Sequence, residues 1–324
     1  MRALLEREFL FVAGKGGAGK TTVSAALALA AARHGKRVLV AMCNARERLS
    51  TLLEVDPIGP RNTPVLPGIE AVNMRPDVAL EEYGMMVLRV RAVYRAVLEN
   101  RVISAFVRGT PGVEAWTMLG KAYFHVHERL ADGRPRYDLV VFDAPATGHA
   151  LDMLRVPEVI REVAPPGLLR REAERALDML RDSRRSAAVL VTLPEEMPVT
   201  ETVELYRALA RGPSGPRIPV GTVVINAVLP PLLHDVDPAS LDAAARSAGP
   251  LSGLAAAGRW RASRERVQRA AIARLAAALD GVPRIELPHV FASRFGRAAV
   301  QALGARLVDT TQGGHDATGA TFRP

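Results

Sequence analysis

A doubly wound α/β domain, with a mostly parallel sheet and an inserted helical region, is the fold class this sequence predicts, on three observations. Short apolar runs rich in β-branched residues alternate with stretches of helical periodicity, the pattern of a sheet covered on both faces. The first run is followed at once by a glycine-rich turn and an apolar helix pattern, which is the order strand, phosphate-binding loop, helix. At 324 residues and 48% hydrophobic content, the chain can bury one large α/β core.

The runs fall at residues 9–13, 37–42, 69–74, 138–143, 187–192, 220–226 and 284–287. Between the third and fourth, residues 76–131 read as two or three helices punctuated by Pro111-Gly112. A second helical stretch, residues 150–184, is broken at Pro165-Pro166-Gly167. The apolar side chains here, among them Met85, Val93, Val97, Ile103, Phe106, Trp116 and Met153, suit ordinary helix packing or a partner-binding groove. One domain over residues 1–308, with a helical subdomain at about 76–131 and 150–184, is the expected organisation. Residues 309–324 are polar, glycine-rich and aperiodic, and read as a disordered tail.

Composition narrows the classes. No run approaches the roughly 20 apolar residues of a membrane-crossing helix, and the residues before the first strand are too few for a signal peptide, so a cytoplasmic protein is expected. The single cysteine, Cys43, excludes an intrachain disulfide framework and an all-cysteine zinc site within one chain; no zinc site is expected. The net charge is +9, yet only Lys15, Lys20, Lys36 and Lys121 among the 43 basic residues are lysines. Arginines such as Arg259, Arg261, Arg264, Arg266 and Arg269 read as a solvated helix face, and nucleic acid is not the expected partner.

Residues 14–22, G-K-G-G-A-G-K-T-T, satisfy G-x-x-x-x-G-K-[ST]. Glycines let the backbone N–H groups of Gly14, Gly16, Gly17, Ala18 and Gly19 approach phosphate oxygens at a helix N-terminus. In that geometry Lys20 reaches the β- and γ-phosphates, the Thr21 hydroxyl ligates Mg²⁺, and Thr22 lies near the α-phosphate. ATP and Mg²⁺ are the cofactors implied.

The fourth run ends in Asp143, followed by Ala144-Pro145-Ala146-Thr147-Gly148-His149. Asp143 is placed to accept from Mg²⁺-bound water and Thr21, and Gly148 to offer its N–H to the γ-phosphate. For His149 a catalytic base and a hydrogen-bonded structural residue both remain open. Asn226, at a strand end, suits either the reading of adenine through its amide or a turn.

Lys15 makes the loop K-G-G-x-G-K-[ST], which resembles that of dimeric ATPases including MinD, ParA, the nitrogenase iron protein, and the arsenite-pump and tail-anchored-protein-targeting ATPases. The resemblance implies that Lys15 crosses a dimer interface to the partner's nucleotide. D-A-P-A-T-G-H at 143–149, followed by L-D-M-L-R-V-P at 151–157, resembles the phosphate-sensing switch of the ArsA/Get family. Pro111-Gly112-Val113-Glu114, Leu193-Pro194-Glu195-Glu196 with Glu201-Thr202, Val224-Ile225-Asn226 and Glu286-Leu287-Pro288-His289 resemble further family segments, from residue 9 to about residue 307. They imply that Asn226, Pro288 and His289 surround the adenine. The expected activity is that of a nucleotide-gated ATPase, working as a homodimer or as a heterodimer with a paralogue, on a client whose identity is open, an apolar helix being one candidate.

Two departures stand out. Where the family carries D-P-A-H, whose aspartate orients the attacking water, this chain has Asn44-Ala45-Arg46-Glu47. Asparagine holds water but cannot take its proton, so slow hydrolysis is expected, with Asn44 at the water position and Glu47 or a partner group open as substitutes. The paired zinc-bridging cysteines of targeting relatives and cysteine ligands for arsenite are also missing, so a dimer would be held by protein contacts. Two rivals remain: a regulatory scaffold that binds ATP without hydrolysing it, and a positioning ATPase like MinD or ParA, for which residues 310–324 offer no amphipathic membrane helix.

Overall fold

The computed structural model describes residues 2–43, 46–88, 113–164, 166–211, 217–233, 235–247 and 249–309. Asn44, Ala45, Val93, Val97, Ile103, Phe106, Pro111, Gly112 and the expected tail after Asp309 lie outside these residues. The strands are β1 (Phe9–Gly14), β2 (Val38–Cys43), β3 (Thr63–Leu66), β4 (Ile69–Met74), β5 (Leu139–Asp143), β6 (Ser186–Thr192), β7 (Val220–Val228) and β8 (Arg284–Pro288). They form one sheet in the order β3-β4-β2-β5-β1-β6-β7-β8. All neighbours pair in parallel except β3, which runs antiparallel to β4 at the edge.

Seven of these strands coincide with the apolar runs; β3 does not. Its residues, T-P-V-L, are short and contain Pro64, which cannot donate to a ladder and is tolerated at an edge. Its pairing with β4 comes from the tight turn at Gly68, whose φ is 76°. A local reading had no alternation to detect there.

The period-two geometry of a strand sorts side chains between two cores. Leu10, Val12, Val40, Met42, Val141, Val189 and Val191 face one side, where α2 (Lys20–Arg33) and α11 (Arg297–Asp309) cover the sheet, with the short α3 (Leu49–Leu53) beside them. Every residue of α2 from Val23 to Ala31 is buried, because the helix lies between the sheet and α11. Alanine at most of these positions allows that close approach. Phe9, Phe11, Leu39, Val72, Val140, Phe142, Ala188 and Leu190 face the other side. The covering helices there are α5 (Val113–His127), α6 (Thr147–Val163), α7 (Leu168–Arg181), α8 (Glu196–Arg211) and α10 (Ser252–Ala278).

Among the described residues, three further helices are α1 (Arg2–Leu5), whose Leu4 and Leu5 join the core on the α2 side, α4 (Pro76–Leu88), which packs on α5 and gives Ala79 to the other core, and α9 (Pro238–Arg246), which packs on α10. Lys121 of α5, though buried, is ion-paired with Glu82 of α4, so the insertion carries its cation compensated. The long helix α10 is exposed along much of its length, with Trp260 standing out among its arginines. Its buried Glu265 accepts from the N–H groups of Leu232 and Leu233, and Gln268 brackets Leu229, which straps the segment after β7 to the helix. No described helix is long and apolar enough to cross a membrane.

Candidate nucleotide site

β1 occupies the centre of the sheet, between β5 and β6, so the loop at its carboxyl end opens where connections leave in both directions. Ligands of open α/β sheets bind at such points. Gly14 ends the strand with φ 152°, and a Cβ there would lie 2.1 Å from the Val191 carbonyl oxygen. Only glycine lets the loop leave the sheet this close to β6. Gly19, at φ 93°, opens α2, and a Cβ on it would meet the Asn226 amide nitrogen at 2.2 Å.

Lys20 folds back over the loop, its ammonium donating to the carbonyl oxygens of Gly14 at 3.1 Å and Lys15 at 3.3 Å. Burial lowers its pKa, partly offset by the field of Asp143. Thr21 donates to Asp143 Oδ2 at 2.6 Å, and Ser24, one turn along α2, donates to Oδ1 at 3.3 Å. Asp143 is buried at the end of β5, and its pKa is raised because desolvation outweighs the bonds from Thr21 and Ser24 and the attraction of Lys20. A hydroxyl and a carboxylate side by side form a hard-oxygen donor pair that fits Mg²⁺.

A cavity of about 840 Å³ opens over these groups. Gly17, Gly19, Lys20, Thr21 and Thr22 line it with Asp143; Cys43, Arg48, Leu52 and Phe295 supply more of its wall. Arg48, Leu52 and Phe295 carry no motif, and nothing local in the sequence marks them. Gly16 is exposed at the loop edge, and Ala18 is buried, its carbonyl accepting from Asn226 Nδ2 at 3.0 Å.

Asn226 therefore braces the phosphate loop, a contact absent from the sequence reading. The register of β7 against β8 slips between Ile225 and Val228, and Ala227 adopts a left-handed φ of 56°. A bulge of this kind re-aims side chains, here next to the glycine that opens α2. Pro288 ends β8 and His289 follows it; the His289 N–H donates to the Val228 carbonyl at 2.8 Å and its ring lies 4.5 Å from that of Phe291. Neither Pro288 nor His289 is part of the cavity wall around Thr21.

Gly148 and His149 are exposed in the first turn of α6, directly after the Asp143 segment. The Glu47 carboxylate is engaged at the start of α3, accepting from Ser50 N at 2.8 Å and Ser50 Oγ at 2.5 Å. Lys15 pairs with Glu201 Oε1 of its own chain at 2.5 Å.

A phosphate loop at the end of a central parallel strand, with threonine and aspartate meeting beside it, defines a P-loop ATPase. The family described as anion-transporting ATPase, the ArsA ATPases, matches residues 7–165. ATPase BagA of Mycobacterium tuberculosis is 31% identical over 298 residues, covering 86% of each chain. The arsenical pump-driving ATPase of Escherichia coli is 27% identical over 68% of this chain and 40% of its own length. ATPase ASNA1 homolog 1 of Paramecium tetraurelia is 28% identical over 48% of this chain and 45% of its own. The chain belongs to the ArsA ATPase family and is an ATP-binding P-loop hydrolase.

Proposed function

We propose that this protein is a slow ATPase that works as a dimer and couples the presence of the γ-phosphate to the arrangement of its helical region. One observation carries this reading: Asp143 is bonded to Thr21 of the phosphate loop and leads, four residues later, into α6. That helix packs against α5 and α7, so a shift at residues 144–148 is transmitted to the helical face. Exposed Val163 and Leu169 flank the turn between α6 and α7, offering apolar surface to a client such as an apolar helix.

In this reading Lys20 and the loop amides hold the β- and γ-phosphates, and Thr21 and Asp143 hold Mg²⁺, which supplies charge neutralisation between phosphate oxygens when bound. Gly148 offers its N–H to the γ-phosphate, and Lys15 acts on the partner's nucleotide. Asn226 steadies the loop at its adenine side, with Pro288 and His289 nearby in the chain fold. Asn44 holds the attacking water without deprotonating it, which motivates slow turnover.

Hydrogen exchange on α5 to α7 with a non-hydrolysable ATP analogue, against ADP, tests the coupling; identical protection in both sinks it. Phosphate release at tens of turnovers per second overturns the slow hydrolysis. Lys20→Ala is expected to weaken ATP binding by roughly a hundredfold or more, read by calorimetry, since a charge-assisted contact to the phosphates is lost.

A further inference from the structure

Lys15 stands on the phosphate loop between two glycines, where a long flexible side chain would ordinarily be solvated. Its ammonium instead meets Glu201 across 186 residues of sequence, at 2.5 Å, with both side chains about one-third exposed at 35% and 31%. Glu201 belongs to α8, the helix that follows β6, and β6 is the neighbour of the strand that carries the loop. The start of α8 is itself braced. Arg274 of α10 donates to the Glu196 carbonyl at 2.6 Å and to the Thr200 hydroxyl at 2.7 Å. The carboxylate is thus presented from a braced helix to a cation on the phosphate loop.

We infer that Glu201 is a positioning residue that holds Lys15 within its own chain until a γ-phosphate competes for it. This rests on the reading of Lys15 as a group that acts on a partner's nucleotide. A Lys15 side chain extended across an interface to a phosphate leaves the position in which it meets Glu201 of its own chain, so association exchanges one anion for the other. ATP supplies the γ-phosphate oxygens for the exchange. ADP does not, and Lys15 stays with Glu201. The pair is a cost that the γ-phosphate contact must exceed before Lys15 leaves its own chain.

The test is sedimentation with ATP or ADP and Mg²⁺ on the full chain, comparing the natural protein, Glu201→Gln, Lys15→Ala and the double variant. Glu201→Gln is expected to tighten ATP-driven association by roughly five- to tenfold, because two part-exposed ion pairs no longer have to open. Association in ADP, where Lys15 stays within its own chain, is expected to be unchanged, and Lys15→Ala in the same chain as Glu201→Gln is expected to cancel the gain in ATP. Glu201→Ala is the second variant should the glutamine form fold poorly. An unchanged association constant in ATP, or an effect that persists without Lys15, overturns the role of Glu201 while the dimer reading stands. Natural protein that stays monomeric with ATP overturns both.

Discussion

The two faces of the sheet are built on different terms. On the α2 face, small residues bring backbones together: a Cβ on Gly304 of α11 would lie 2.7 Å from the Ala26 carbonyl oxygen of α2. On the opposite face, large side chains fill the space: Tyr83 of α4 sets its ring edge-on to Trp116 of α5, with centroids 6.5 Å apart, and a Cβ on Gly120 would meet that Tyr83 ring at 2.6 Å. Backbone packed on backbone cannot yield, whereas a ring can swing. The phosphate loop leads into α2 on the first face, and the segment after Asp143 leads into α6 on the second.

Substitutions that fill each contact would break this contrast if it is wrong. Gly304→Val is expected to cost about 3 kcal/mol or more, read as the shift of the urea midpoint, because neither helix backbone can retreat. Equal stability to the natural protein would mean that α11 is loosely docked. Asn226→Ala comes next: losing the amide bond to Ala18 is expected to weaken ATP binding by roughly tenfold, about 1.4 kcal/mol, with a smaller effect on the unfolding midpoint. If affinity is unchanged, the loop is rigid without its brace.

Gly120→Ala is expected to cost only about 1 kcal/mol, since Tyr83 can move aside. A penalty as large as that at Gly304 would show both faces to be equally unforgiving. The smallest effect concerns Asp143, at the junction of the two. Burial raises its folded pKa above the unfolded value, so the stability it contributes is full below the unfolded pKa and is lost as pH rises through the folded one. Asp143→Asn does not titrate. It should therefore melt higher than the natural protein at neutral pH, with the gap closing as pH falls into the acid range, and differential scanning at both ends checks the sign.

Legibility followed the same division. Strand periodicity exposed seven strands of the sheet, and the G-x-x-x-x-G-K-T spacing marked Lys20 and Thr21, because both signals are local. Asp143 was legible as the last residue of an apolar run. Arg48, Leu52 and Phe295 were not, since they join the cavity only through packing around α2 and carry no pattern of their own. Glu47 looked available from its position, but the structure commits its carboxylate to Ser50 at the start of α3.

The sequence by itself determined the strand and helix alternation, the phosphate-binding loop and the carboxylate beside it, because each depends on residues close together along the chain. The tertiary structure alone decided that Glu201 meets Lys15, that a bulge at Ala227 turns Asn226 onto Ala18, and that T-P-V-L pairs as an edge strand. Those contacts depend on which strands become neighbours in the sheet, a choice made by burying two whole cores at once and not by any short stretch of residues.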